Sequence, residues 1–126
     1  MAASACYLLA AGCDRIVLDP MALVGSVGVV MSIPPKRPDA PMEIVSSQSP
    51  DKRPDHTTEP GKAVLQNTVD TLAQVFIDTV AEYRGLSAAH VAASKGALFV
   101  GQKAVAYGLA DGLGTLESVI ADLASR

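Results

Sequence analysis

Tryptophan is absent from this chain of 126 residues, and aromatic residues make up only 4% of it. A core must therefore be built from Ala, Val, Leu and Ile rather than from stacked rings. Charge is sparse as well: charged residues are 18% of the chain, with a formal net charge of −3. That balance excludes bulk attraction to nucleic acid or anionic lipid. The basic pairs Lys36-Arg37 and Lys52-Arg53 are offset by Asp39, Asp51 and Asp55, and no aromatic residues interleave them for base stacking. Long apolar runs are missing too, so no transmembrane segment is expected. The run after Met1 is interrupted by Gly12, Cys13, Asp14 and Arg15, and nothing in it marks export.

Cysteine is limited to Cys6 and Cys13. On one helix this spacing gives about 10 Å of rise, beyond the reach of a disulfide. Both are expected as free thiols that pack as small buried hydrophobes. No further Cys or neighbouring His completes a metal set, so neither a metal nor a cofactor is expected.

What is present is an apolar half, 49% of the chain, enough for one packed domain. Residues 3–13 read as a buried helix, with Gly12 placed for a left-handed cap. Ile16-Val17-Leu18, closed by Asp19-Pro20, reads as a buried strand. In Val24-Gly25-Ser26-Val27-Gly28-Val29-Val30-Met31 the glycines indicate close backbone approach or a bend, and the valines after them a second strand. The spacing is not that of a phosphate-binding loop. Residues 34–41 hold four prolines and form an exposed connection. Residues 42–47 read as a further short strand, and 48–59 as a polar loop.

Leu65, Val69, Leu72, Phe76, Val80 and Tyr83 recur at helical spacing, which predicts a long amphipathic helix over 62–84. Thr57 or Thr58 caps it, Pro60 lies in its first turn and Gly85 ends it. A short helix over 88–94 follows, capped by Ser87. An extended segment over 97–100 then leads to a helix over 102–107, opened by Gly101 and stopped by Gly108. A final helix over 116–125 is capped by Thr115, with Glu117 near its positive end. Short strands without polar alternation predict an α/β fold with buried parallel pairing. Only three or four strands are visible, which points to part of a larger unit.

Ser4 stands among small residues at the start of the first helix. There it is either a plain N-cap or a nucleophile beside free backbone donors. A nucleophilic serine needs a base. His56 and His90 have no recognisable orienting carboxylate, which disfavours a Ser–His–Asp triad. Lys36, Lys52, Lys62, Lys95 and Lys103 are the candidate amines, and composition does not choose among them.

Several segments in order are similar to the protease IV (signal peptide peptidase A) family, in its phage-head and prophage branch. They are Ala2-Ala3-Ser4-Ala5-Cys6-Tyr7, Asp14-Arg15-Ile16-Val17 and Gly25-Ser26-Val27-Gly28-Val29, then Ser46-Ser47-Gln48-Ser49-Pro50-Asp51-Lys52. Val80-Ala81-Glu82-Tyr83-Arg84-Gly85, Gly101-Gln102-Lys103-Ala104 and Gly108-Leu109-Ala110-Asp111-Gly112-Leu113-Gly114 continue the likeness. The resemblance implies a Clp protease/crotonase-like fold built from ββα units and a Ser–Lys peptidase. In it Ser4 would be the nucleophile, with the Ala5 amide at the oxyanion. Lys52, allowing one inserted residue after Val45, would be the base, and Ser26 would orient its amine. Cys6 replaces the family's usual small residue.

The family also places a half-domain before this serine, so the chain is expected to be the C-terminal part of such a domain and inactive alone. Peptide or protein substrates, homo-oligomers and a cytoplasmic or procapsid location follow, with membrane association open to a longer form. A non-catalytic assembly or scaffold-like module of phage head maturation is the alternative. An acyl-CoA enzyme of the same fold finds no adenine- or pantetheine-binding signature.

Overall fold

The computed structural model describes residues 1–35 and 37–125. Lys36, one of the candidate amines, lies outside the described residues. The chain forms two compact units, the first comprising Met1–Gly28 and the chain from Ala73 onward, the second Val29–Leu72.

The first unit holds five very short strands: β1 (Ala2–Ala3), β2 (Val17–Leu18), β3 (Leu23–Gly25), β4 (Leu98–Val100) and β5 (Gly112–Leu113). Its helices are α1 (Ala5–Ala11), the C-terminal part of α2 (Glu59–Arg84), α3 (Ala88–Ala93), α4 (Gly101–Tyr107) and α5 (Leu116–Ala124). One sheet runs β1-β3-β4. β1 pairs parallel to β3, with Ala3 opposite Gly25, and β4 pairs antiparallel, with Leu98 opposite Gly25. β2 and β5 form a separate parallel pair. The wholly parallel pairing read from the sequence is thus corrected at β4. Its outer residues Leu98 and Val100 face solvent, so it needs no second helical layer.

The core is aliphatic, as the composition requires. It gathers Val24 from β3, Phe76, Val80 and Ala81 from α2, Val91 from α3, Ala104 from α4 and the loop residue Leu109 into one cluster. Tyr7, fully buried in α1, and Phe76 are its two rings, and the Tyr7 hydroxyl donates to the Leu109 carbonyl at 2.9 Å. Burial is the main cause that pushes the Tyr7 phenol up to about 12, so it remains a donor at neutral pH.

A second anchor lies beside it. Asp111 accepts from the Ile16 amide at 2.6 Å and pairs with Arg84 at 2.6 Å, while Arg84 also donates to the Gly108 carbonyl at 3.2 Å. The hydrogen bonds from Arg84 are the first cause holding the Asp111 carboxyl below the usual carboxylate value.

Several expectations are corrected in this unit. α1 begins at Ala5, because Ala2 and Ala3 are taken into β1, and it is buried on one side only: Leu9 is 78% exposed. Cys6 and Cys13 are free thiols but exposed, Cys6 in the first turn of α1 and Cys13 in the turn beyond its end. Gly12 ends α1 with φ −78°, in right-handed geometry, because its amide closes onto the Ala10 carbonyl. β3 ends on Gly25, the first of the glycines, rather than following them. The pairing stops at Gly25, and Val27 is buried in the core without joining a strand.

Local signals elsewhere match the structure. The Ser87 hydroxyl accepts from the His90 amide, and Thr115 and Ser118 form a reciprocal capping box at α5. α2 starts at Glu59 rather than at 62, because the Thr58 hydroxyl accepts from the Gly61 amide at 3.2 Å. Its apolar face is buried at Phe76 and Val80, while Leu72 and Tyr83 are exposed.

In the second unit, residues 29–49 form no regular element among those described. The strand expected over 42–47 is absent: Ile44 is 92% exposed, with no strand beside it to complete a ladder. A single 3-10 turn follows at Pro50–Lys52.

Candidate active site

Ser4 alone makes the turn from β1 into α1. Its backbone sits at φ 54°, ψ −129°, a region that penalises a β-carbon by about 1–3 kcal/mol. The surrounding bonds hold it there. The Ser4 amide donates to the Gly25 carbonyl at 2.9 Å, and its carbonyl accepts from the amides of Tyr7 at 2.9 Å and Leu8 at 3.1 Å. The side chain makes no capping hydrogen bond and the residue is exposed, which removes the plain N-cap reading. A strained strand-to-helix turn that presents its hydroxyl outward is the device by which α/β hydrolases expose a nucleophilic serine. Immediately after it, the amides of Ala5 and Cys6 have no protein acceptor among the described residues. Two donors at one helix start form a concentrated anion-holding position. The sequence reading singled out Ala5; the Cys6 amide emerges only from the bonding pattern.

Ser26 occupies the corresponding place after β3, with φ 54° and its amide donating to the Ala97 carbonyl at 2.9 Å. The Ala3–Gly25 register puts Ser4 and Ser26 one step beyond the same paired residues, at the carboxyl ends of neighbouring parallel strands. Such strand ends are where ligands bind in open α/β sheets. Gly25 permits this closeness: at φ 111°, a β-carbon there would stand 2.7 Å from the Ala97 carbonyl oxygen. Tyr7, three residues past Ser4 on α1, ties the start of that helix to the core through the Leu109 carbonyl.

The first unit therefore brings Ser4, Ala5 and Ser26 together. Lys52 belongs to the second unit. It ends the 3-10 turn, is exposed, and lines a cavity of about 370 Å³ with Glu43, Ser46, Ser49 and Arg53. The desolvation that a neutral lysine needs is not supplied by that unit's own side chains. Among the other amines, Lys62 pairs with Glu59 at 2.9 Å, and Lys95 and Lys103 are exposed. His90 stacks on Tyr107, with Nε2 2.9 Å from the Tyr107 carbonyl oxygen, and among the described residues no carboxylate orients it. Among the described residues, no group of three His, Cys, Asp or Glu could hold a metal ion, and no helix is long and apolar enough to cross a membrane.

This strand–serine–helix turn is found in a chain whose residues 1–36 and 51–126 match peptidase family S49. The chain belongs to that family. Ser4, Ala5 and Ser26 fall in the first matched segment and Lys52 in the second; the unmatched stretch includes the absent strand. The S49 chain is 31% identical over 121 residues to the capsid assembly protease C of Escherichia phage lambda, covering 90% of this chain and 28% of that protein. It is 30% identical over 132 residues to the head-tail preconnector protein GP5 of Enterobacteria phage P21, covering 98% of this chain and 26% of that one. The chain thus spans about a quarter of the length of these two relatives.

Proposed function

We propose that this chain carries the nucleophile-bearing part of a Ser–Lys peptidase with a Clp protease/crotonase-like fold, acting on protein substrates during phage head assembly. The observation that carries the reading is the strained, exposed, uncapped Ser4 with two open amides after it. Family membership and the capsid assembly protease among its relatives support it.

In the proposed reaction the Lys52 amine, neutral when its surroundings are dry, takes the proton from Ser4 Oγ as the oxygen attacks the scissile carbonyl. The Ala5 amide, joined by that of Cys6, stabilises the oxyanion. The intermediate collapses as the lysine returns its proton to the leaving amine. Water then enters by the same base and releases the acyl group. Ser26 would hydrogen-bond and orient the lysine amine.

A fluorophosphonate probe followed by mass spectrometry tests this. Labelling is expected at Ser4 and absent in Ser4→Ala, with the helical circular dichroism unchanged. Lys52→Met is expected to slow labelling by roughly 10²–10⁴-fold, the range for losing a general base. Labelling that survives Ser4→Ala rejects the nucleophile, whereas an undiminished rate in Lys52→Met rejects the base alone. A second reading, a non-catalytic assembly module, is favoured by the exposure of Lys52 and by the preconnector relative. Failure to label even when the chain is joined to the half-domain that precedes this serine in the family would select it.

A further inference from the structure

Helix α5 has no buried residue, yet it carries an apolar face. Leu116, Ile120 and Leu123, spaced by four and three positions, are 71%, 56% and 59% exposed. That spacing lines up one side of a helix and is the pattern by which helices pack on one another. Leu116 and Leu123, with Val119, also line a cleft of about 820 Å³ between α5 and the segment that joins α1 to β2, wholly within the first unit, and Ile120 extends the apolar face beyond it. Exposed contiguous apolar surface with a polar rim marks an interaction site.

The rim is predominantly acidic. Asp14, Asp19, Glu117 and Asp122 line the cleft against a single guanidinium, Arg15, which is bonded to Asp122 at 2.9 Å. Hydrogen bonds from its own backbone amide and from Thr115 hold the Glu117 carboxyl below its ordinary value, so it stays charged.

We infer that the α5 cleft docks a basic amphipathic helix of a separate protein, its apolar side chains on Leu116, Ile120 and Leu123 and its Lys or Arg residues facing the carboxylate rim. A second copy of this chain fits less well, because symmetric pairing would set these carboxylates against each other. Among the described residues no other helix offers such a face. α2 carries four acidic residues against two basic ones, α1 and α3 carry no Asp, Glu, Lys or Arg, and α4 has Lys103 alone, with Ala104 committed to the core.

The test titrates the full chain into a labelled Leu/Lys amphipathic peptide, read by anisotropy, beside a peptide with the same leucines and Glu for Lys. Tighter binding of the Lys peptide by about tenfold or more is expected, weakening as salt is raised. Asp14→Lys with Glu117→Lys should reverse the preference. Asp70→Lys with Asp78→Lys, the same change of net charge on exposed positions of α2, should leave it intact. Ile120→Ser should weaken both peptides. Equal binding of the two peptides, or equal loss in the α2 control, overturns the inference. So does a concentration-dependent self-association that Ile120→Ser abolishes, which would give this face to a second copy. Ser4 labelling is read separately and is not expected to change in any of these variants.

Discussion

Arg84 is enclosed, with 7% of its side chain exposed, while Asp111 keeps about a third open to solvent at 36%. Removing either partner has unequal consequences. Arg84→Ala leaves a carboxylate that water can still reach, together with a Gly108 carbonyl deprived of its donor, a loss of about 2–3 kcal/mol by urea unfolding. The same pair gives stability a pH dependence of definite sign. Because the folded pKa of Asp111 lies below its unfolded value, the contribution is complete above the ordinary carboxylate range. It is lost as pH falls through the depressed folded value. The urea midpoint should therefore fall on acidification, and Asp111→Asn should flatten that acid limb while lowering the midpoint at neutral pH. An unchanged limb in Asp111→Asn would remove this residue from the account.

At the scale of elements, the junction between β4 and α4 is the tightest in the first unit. The Gly101 amide donates to the Ala22 carbonyl at 2.9 Å, and a β-carbon at position 101 would lie 2.1 Å from the Pro20 carbonyl oxygen, at φ 42°. Gly101→Ala must therefore move either the strand end or the helix start. A loss on the order of 3 kcal/mol or more is expected in thermal or urea unfolding, with near-neutral tolerance of Gly28→Ala, whose added carbon meets nothing, as the reference. These junctions also show what was legible in the sequence. Caps at Thr58, Ser87 and Thr115 depend on a hydroxyl and an amide three residues away, so a linear reading finds them. Gly108, the left-handed cap of α4, is equally local, whereas the close approach of Pro20 to Gly101 is not. A strand depends on a partner that the linear order does not name, and so residues 42–47 have strand composition with no ladder to join. The site divides in the same way. Ser4 and Ala5 are visible as a small-residue helix start, whereas the shared carbonyl of Gly25 that aligns Ser4 with Ser26 exists only once β1 and β3 have paired.

Across the whole molecule, order is unevenly distributed, and this bears on the proposed dyad. Every residue of the apolar core belongs to the first unit, the one that holds Ser4. Between residues 29 and 57 the described backbone bonds are single turns, Ala40 to Arg37, Ser49 to Ser46 and Lys52 to Ser49. Local opening free energy follows such bonding and burial. Hydrogen exchange read by mass spectrometry should therefore find peptides from 29–49 almost unprotected. Those covering Phe76 to Arg84 and Gly101 to Ala110 should exchange only through larger openings. The contrast matters chemically because a nucleophile can be pre-set by a rigid turn, whereas a lysine must be dried to act as a base. If the dyad forms in this chain, the segment carrying Lys52 has to gain protection when Ser4 is occupied by a phosphonate, while the core peptides stay as they were. Protection confined to the first unit after labelling would separate the serine's reactivity from Lys52 and leave the strained turn and its two amides as the source of it.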